Sequence, residues 1–228
     1  MKLSFTLQNL NGSFESISVD INQMVIAGWA GRDQAAIEHH IEELAAIGVP
    51  RPTTVPLFYR VASQTLTQHP VIEVVGTESS GEVEVFAFMH QGELLVSLTS
   101  DHTDRGLETV SVALSKQVCS KPVGVHAWRF KDLADHWDQL RIESSIIENG
   151  QLVQYQSGPL SALLHPLDLM KRFTGGGQLA ADTAMSCGTV GTQGAIRPAA
   201  HFEMSLIDPV LKRTMAHCYE VESLAKVS

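Results

Sequence analysis

No stretch of this chain stays apolar for anything near the ~20 residues that span a bilayer. No run of lysine or arginine offsets its acidic balance either, and the formal net charge is −9. The first absence argues against a membrane partner and the second against nucleic acid. Cysteine is scarce and odd in number: Cys119, Cys187 and Cys218 lie far apart. That excludes a disulfide framework and fits a reducing cytoplasm. There is no C-x-x-C pair for zinc, no H-E-x-x-H pattern among the histidines, and no G-x-x-x-x-G-K-[ST] phosphate loop. The N-terminus, Met1-Lys2-Leu3-Ser4-Phe5, alternates like a strand and lacks the apolar core of a signal peptide.

What is present is an ordinary globular composition: 228 residues, 44% hydrophobic and 18% charged. That length suits one domain over 1–228 with a sizeable core. Strand patterns around Asn11-Gly12 mark residues 1–24 as an N-terminal β-hairpin appendage. A helical stripe (Ala36, Ile37, Ile41, Leu44, Ala45) runs from Asp33 to Ile47, with Gly48 after it. A second stripe (Leu107, Val110, Leu114, Val118) spans 104–118. Residues 71–76, 82–89, 93–99 and 123–129 read as strands, and 141–155 as a hairpin around Asn149-Gly150. Lys131 to Leu140 reads as a short helix, Leu160 to Phe173 as helical but for Pro166, and Thr183 to Val221 as strand-rich. The class is α+β with a β-dominated core.

Two acidic clusters carry the chemistry. In Gly81-Glu82-Val83-Glu84-Val85, Glu82 and Glu84 share one strand face. Asp101 follows the apolar run 94–98, just past a strand end. Three such carboxylates form a hard oxygen site suited to Mg²⁺, Mn²⁺ or Ca²⁺. They repel one another unless a proton or cation intervenes. The plainer alternatives are a half-exposed strand with glutamates in water and a solvated helix start. In the latter, Thr103 is the N-cap and Arg105 and Glu108 pair at i, i+3. Lys116 has its own plain alternative, an exposed lysine at a helix end, and Lys121 reads as surface. Trp29, Trp128 and Trp137 read as core or contact residues. Cys119 has no evident base partner.

In their order and spacing, these pieces resemble the fumarylacetoacetate hydrolase superfamily, in an uncharacterised bacterial branch, from about residue 25 to about 209. Glu82, Glu84 and Asp101 match the family's metal ligands. Arg105 matches its substrate-binding arginine and Lys116 its active-site lysine. Gly188-Thr189, with Gly191 and Gly194 beyond, matches its Gly-Thr loop. His40 and Glu43 (or His39 and Glu42) keep the family's His-x-x-Glu spacing ahead of Pro50, Pro52, Pro56 and Phe58. The chain departs in lacking the Asn-Tyr pair, in His102-Thr103-Asp104, and in Glu108, where some hydrolases of the family have glutamine.

The resemblance implies a fumarylacetoacetase C-terminal type of core, a mixed β-roll or β-sandwich with a few short helices, in a cytoplasmic homodimer. It implies a Mg²⁺- or Mn²⁺-dependent hydrolase or lyase for a small 2-oxo acid or acylpyruvate-like carboxylate, acting by C–C hydrolysis or decarboxylation through an enolate. Lys116, Arg105, Glu108, Gly188 and Thr189 would surround the substrate, and His40 with Glu43 would activate water. His102 is a second base candidate. Hydratase, dehydratase or tautomerase chemistry on the same substrates is the neighbouring alternative. A non-catalytic protein that keeps the fold is the distant one.

Overall fold

The computed structural model describes residues 1–46 and 48–227, apart from the side chains of His40 and Leu44. The chain opens with β1 (Lys2–Gln8) and β2 (Phe14–Asp20), followed by β3 (Gln23–Gly28). Helix α1 (Gln34–Ala46) is capped by Asp33, whose Oδ1 accepts from the N–H groups of Ala35 at 2.9 Å and Ala36 at 3.1 Å. Next come β4 (Leu57–Val61), β5 (Leu66–Thr67), β6 (Val71–Val75) and β7 (Ser79–Ser80). The long central hairpin is β8 (Val83–His90) and β9 (Glu93–Ser100). After it lie β10 (Thr103–Asp104), α2 (Arg105–Glu108), α3 (Val112–Gln117), β11 (Lys121–Pro122) and β12 (His126–Arg129). The last part holds β13 (Arg141–Glu148), β14 (Gln151–Pro159), α4 (Pro166–Thr174), β15 (Thr183–Ser186), β16 (His201–Asp208) and β17 (Arg213–Leu224).

Two sheets carry the structure. The larger has eight strands in the order β2-β1-β12-β9-β8-β15-β3-β4, and the smaller has five, β14-β13-β16-β17-β6. The fold is α+β and dominated by sheet. The N-terminal hairpin is built into the large sheet, where β1 runs parallel to β12 through Thr6↔His126 and Leu7↔Ala127. Its inward residues Leu3, Phe5, Leu7, Ile17 and Val19 are core.

The large sheet curls. In a flat sheet, β1 and β8 would lie three strand spacings apart, roughly 14 Å. The rings of Phe5 and Phe88 nevertheless stack with centroids 4.5 Å apart. The curl gives β8 two buried faces. Val83, Val85 and Ala87 face the small sheet with Ile142 and Phe202. Phe86 and Phe88 face the concave side with Ile26 and Leu95. Glu84 has the same parity as Phe86 and Phe88, so the fold carries it inside.

Several expected elements take another form. The 104–118 stripe is broken into α2 and α3 because Ser111 is extended (φ −160°, ψ 115°) and its side chain accepts from Leu114 N–H at 3.3 Å. A serine that caps from outside the helix cannot continue it. Val110, Leu114 and Val118 consequently face solvent, while Ser115 and Lys116 turn inward. Pro166 starts α4 instead of interrupting it, the position where its missing N–H costs nothing. Residues 131–140 form 3₁₀ turns (Phe130–Asp132 and Ala134–Gln139). The 141–155 hairpin forms as expected, with Asn149 and Gly150 at φ 51° and 76°, a type I′ turn.

If the curl organises the concave core, Phe88→Ala is expected to cost about 3–5 kcal/mol in urea unfolding. A Phe5/Phe88 double-mutant cycle should show about 0.5–1.5 kcal/mol of coupling. Additive effects at these two positions would contradict the packing.

Candidate metal centre and cavity

The site follows from strand register. Val83 pairs with Ser100 across β8 and β9, so the next residues outward, Glu82 and Asp101, sit opposite each other. Asp101 N–H donates to the Glu82 carbonyl at 3.0 Å. Glu84 lies two residues inward on the same face. One ligand oxygen from each of Glu82, Glu84 and Asp101 falls within 4.8 Å of the others. Like charges directly opposite in a sheet destabilise it, and burial removes the water that would screen them: Glu84 is 2% exposed and Asp101 1%. The half-exposed-strand reading therefore fails, because the valines and Glu84 are all inside.

Each carboxylate has its own support. Asp101 is gripped by Lys116 Nζ on one oxygen, and Lys121 Nζ lies 3.1 Å from the other. Burial alone would raise the Asp101 carboxyl, but the two ammonium groups outweigh it and hold it at about 2. Asp101 in return raises Lys116, against the pull of burial. Glu84 Oε2 accepts from Ser186 Oγ and from the Gly188 N–H, the latter at 3.0 Å. Burial, the Asp101 charge and that of Glu82 push the Glu84 carboxyl up to about 8 despite the Ser186 bond. Glu82 pairs with Arg105 at 3.0 Å.

Gly188 is at φ +89°, and a Cβ there would lie 2.7 Å from Ala30 Cβ. Only glycine lets this loop bring its N–H onto Glu84.

These carboxylates open onto a cavity of ≈ 640 Å³ lined by Glu82, Glu84, Asp101, Glu108, Lys116, Gly188 and Thr189, among others. The donor set is all oxygen. Asp101 Oδ1 is buried without a well-directed hydrogen bond. Both features fit a hard divalent cation. Glu82, Glu84 and Asp101 are the residues that would hold it.

A family model described as a protein of unknown function, DUF2848, matches residues 27–219. The chain belongs to this family. No curated protein matches it in sequence. Solved structures do match in fold. Cg1458 with an inhibitor has a TM-score of 0.64 at 13% identity, over 98% of this chain and 90% of that one. A 2-keto-3-deoxy-D-arabinonate dehydratase complexed with magnesium and 2,5-dioxopentanoate has 0.63 at 12%, over 91% and 75%. The 4-oxalocrotonate decarboxylase from Pseudomonas putida G7, complexed with calcium and acetate, has 0.55 at 14%, over 88% and 76%. At such identities the likeness shows the fold.

Within this DUF2848 protein, the other expected site residues divide. Lys116 is not an exposed helix-end lysine: it is 6% exposed and sits at the carboxylates. Lys121, expected at the surface, is fully buried and also donates to the His102 carbonyl. Arg105 lies between Glu82 and Glu108, at 3.0 Å from each, and its Nε donates to Ser80 Oγ at 2.7 Å. Thr189 Oγ donates to the Val83 carbonyl at 2.7 Å. Asp104, not Thr103, caps α2, accepting from Leu107 N–H at 2.9 Å.

The base candidates fare differently. Glu43 pairs with His39 at 3.3 Å on the exposed face of α1 and does not line the cavity. The side chain of His40 lies outside the described residues. His102 is buried with its ring nitrogens 3.0 Å from Tyr219 Oη and 2.9 Å from Ser79 Oγ. Burial, with Lys121 and Arg105 nearby, pulls it down to about 3. It stays neutral and structural. Cys119 is buried, and burial raises its thiol, in keeping with no nucleophilic role. Trp128 and Trp137 are core, whereas Trp29 lines the cavity.

Sequence reading passed over Gln156 and Arg32 and placed Lys121 at the surface. Gln156 is fully buried in the cavity wall and binds Val83 N–H at 3.0 Å, Ser144 Oγ at 2.9 Å and Thr189 Oγ at 2.8 Å. No motif marks it, only its place in a strand beside Tyr155.

Metal binding has a defined pH sign. Glu84 must lose its proton to act as a ligand, so affinity for Mg²⁺ is expected to rise by up to about tenfold per pH unit from pH 6 to 8, then level off. In the metal-free protein, the same raised carboxyl gives stability that is present below its unfolded value and is lost as pH climbs through about 8. Titration calorimetry at several pH values reads the affinity. A flat profile over that range would contradict the placement of Glu84.

Proposed function

We propose that this DUF2848 protein is a divalent-metal-dependent enzyme of the fumarylacetoacetate hydrolase type. It acts on a small 2-oxo acid by lyase chemistry, decarboxylation or dehydration. The observation that carries the reading is the buried Glu82, Glu84 and Asp101 cluster opening onto a ligand-sized cavity beside Lys116. The fold neighbours support it, since two of them are a dehydratase and a decarboxylase and bind magnesium or calcium.

A cation bound there would supply Lewis-acid polarisation of the substrate carbonyl. The residues of the chain do the rest. Lys116, held charged by Asp101 and placed 5.6 Å from the centre of the Tyr59 ring, offers an ammonium to the oxygen that becomes negative as a bond to the adjacent carbon breaks. Glu84 and Asp101 stay fixed by Ser186, Gly188 and Lys121, so the site needs no rearrangement in the reaction. Residues of β3, α3 and the 187–192 loop form walls around it.

Lyase chemistry is preferred over hydrolysis because two of the fold neighbours are a dehydratase and a decarboxylase, and Glu43, one half of the expected water-activating pair, is on the exposed face of α1. Hydrolysis would need a group placed to activate water. A homodimer accompanies the proposal, supported by the solvent-facing Val110, Leu114 and Val118, an apolar stripe that a second copy would cover.

The test is a screen of 2-oxo acids with Mg²⁺, following CO₂ release and loss of water. EDTA or Glu84→Gln should abolish turnover, and Lys116→Met should lower kcat by about 10²–10³-fold with the fold intact. Full activity of Glu84→Gln would overturn the reading. Absence of turnover on every acid, with metal still bound, would favour a non-catalytic binding protein.

A further inference from the structure

The cavity is lined by two unlike sets of groups. One is the carboxylates and Lys116, and the other includes Trp29, Ile37, Tyr59, Val112, Val190 and Ile196. We infer that the site takes a 2-oxo acid whose tail is apolar, alkyl or aryl, and selects against a polyhydroxylated or second anionic end. The inference rests on the proposed function and names its substrate class.

Two of the polar side chains in that wall, Arg32 and Gln156, already have partners. Arg32 is the one cation besides Lys116 among the described lining residues. Its Nη1 and Nη2 donate to the two oxygens of Asp138 at 2.8 and 2.5 Å, and its Nε donates to the Leu163 carbonyl at 2.5 Å. That uses the fork a second substrate carboxylate would need. Gln156 accepts from Val83 N–H and Ser144 Oγ, and its amide nitrogen donates to Thr189 Oγ and the Val190 carbonyl, at 2.7–3.0 Å. Glu108 stands in the wall as a carboxylate paired with Arg105, an unfavourable neighbour for an anionic tail. Hydroxyl groups brought here would leave water for a wall in which the Arg32 and Gln156 side chains are already engaged.

The aromatic side of the wall is held in place. Trp29 takes φ +58°, a conformation a bulky side chain rarely adopts and one that tends to persist at ligand-binding positions. Its indole N–H donates to Tyr59 Oη at 3.3 Å. The pair offers ring surface to a tail with both polar tips engaged with each other.

Calorimetry on the full chain with Mg²⁺ tests this, using oxalate, pyruvate, 2-oxohexanoate and a 2-oxo acid of the same length bearing hydroxyls on its tail. Each buried methylene contributes about three- to fourfold in affinity. 2-Oxohexanoate is therefore expected to bind at least about tenfold more tightly than pyruvate. The hydroxylated acid should show no gain. Val112→Asn or Ile196→Ser, the latter at a half-exposed loop position that tolerates change, should reduce the 2-oxohexanoate gain to less than about threefold. Equal binding of the hydroxylated and plain acids, or a gain that survives both substitutions, would overturn the inference while leaving the metal site intact. Failure of oxalate itself to bind with Mg²⁺ would overturn the proposed function and this inference together.

Discussion

Glu82 and Asp101 face each other across an antiparallel strand pair, with Glu84 buried beside them. Most of the structure around them answers that repulsion. Lys116 and Lys121 grip Asp101, Arg105 pairs with Glu82, and Ser186 with the Gly188 N–H holds Glu84. Three cations thus surround three carboxylates, and a fourth acid, Glu108, is tied in through Arg105. Burying this many charges is unfavourable unless each is paired and hydrogen-bonded. Burial above all, with the charges of Asp101 and Glu82, raises the Glu84 carboxyl. A divalent cation is the natural complement.

The fold supplies the burial that brings the cluster together inside the protein. Curling the large sheet turns the concave face of β8 into a core, so the strand that carries Phe86 and Phe88 also carries Glu84 inward. The short α3 then closes over the strand ends and brings Lys116 down onto Asp101, leaving Leu114 outside. The same chain path that stabilises the core therefore sets the direction of the three carboxylates and Lys116.

How much of this could be read from the sequence depended on the range of the signal. Glu82, Glu84 and Asp101 were legible because strand alternation and a strand end are local features, and both hold in the structure. The β1–β2 and β13–β14 hairpins were legible from Asn-Gly turns and alternating apolar residues. Lys116 needed the family resemblance, since locally it matches any helix-end lysine. Lys121 was missed because β11 is two residues long, too short to show alternation, and its burial comes from parallel pairing with the distant β5. Arg105 was expected at the substrate; its pairing with Glu108 was legible from i, i+3 spacing, whereas its pairing with Glu82 brings together segments far apart in sequence. The stripe at 104–118 has helical spacing, yet Ser111 caps rather than continues, so periodicity alone joined two helices. Gln156 and Arg32 carry no local pattern, because their roles come from contacts with Val83 and Asp138 far along the chain.

The most direct test of the central claim is diffraction from crystals grown with Mn²⁺, using its anomalous signal to locate the ion. The account predicts one site per chain, within bonding distance of Glu82, Glu84 and Asp101, and its loss in Glu84→Gln. An ion bound elsewhere, or the same signal in that variant, would contradict it.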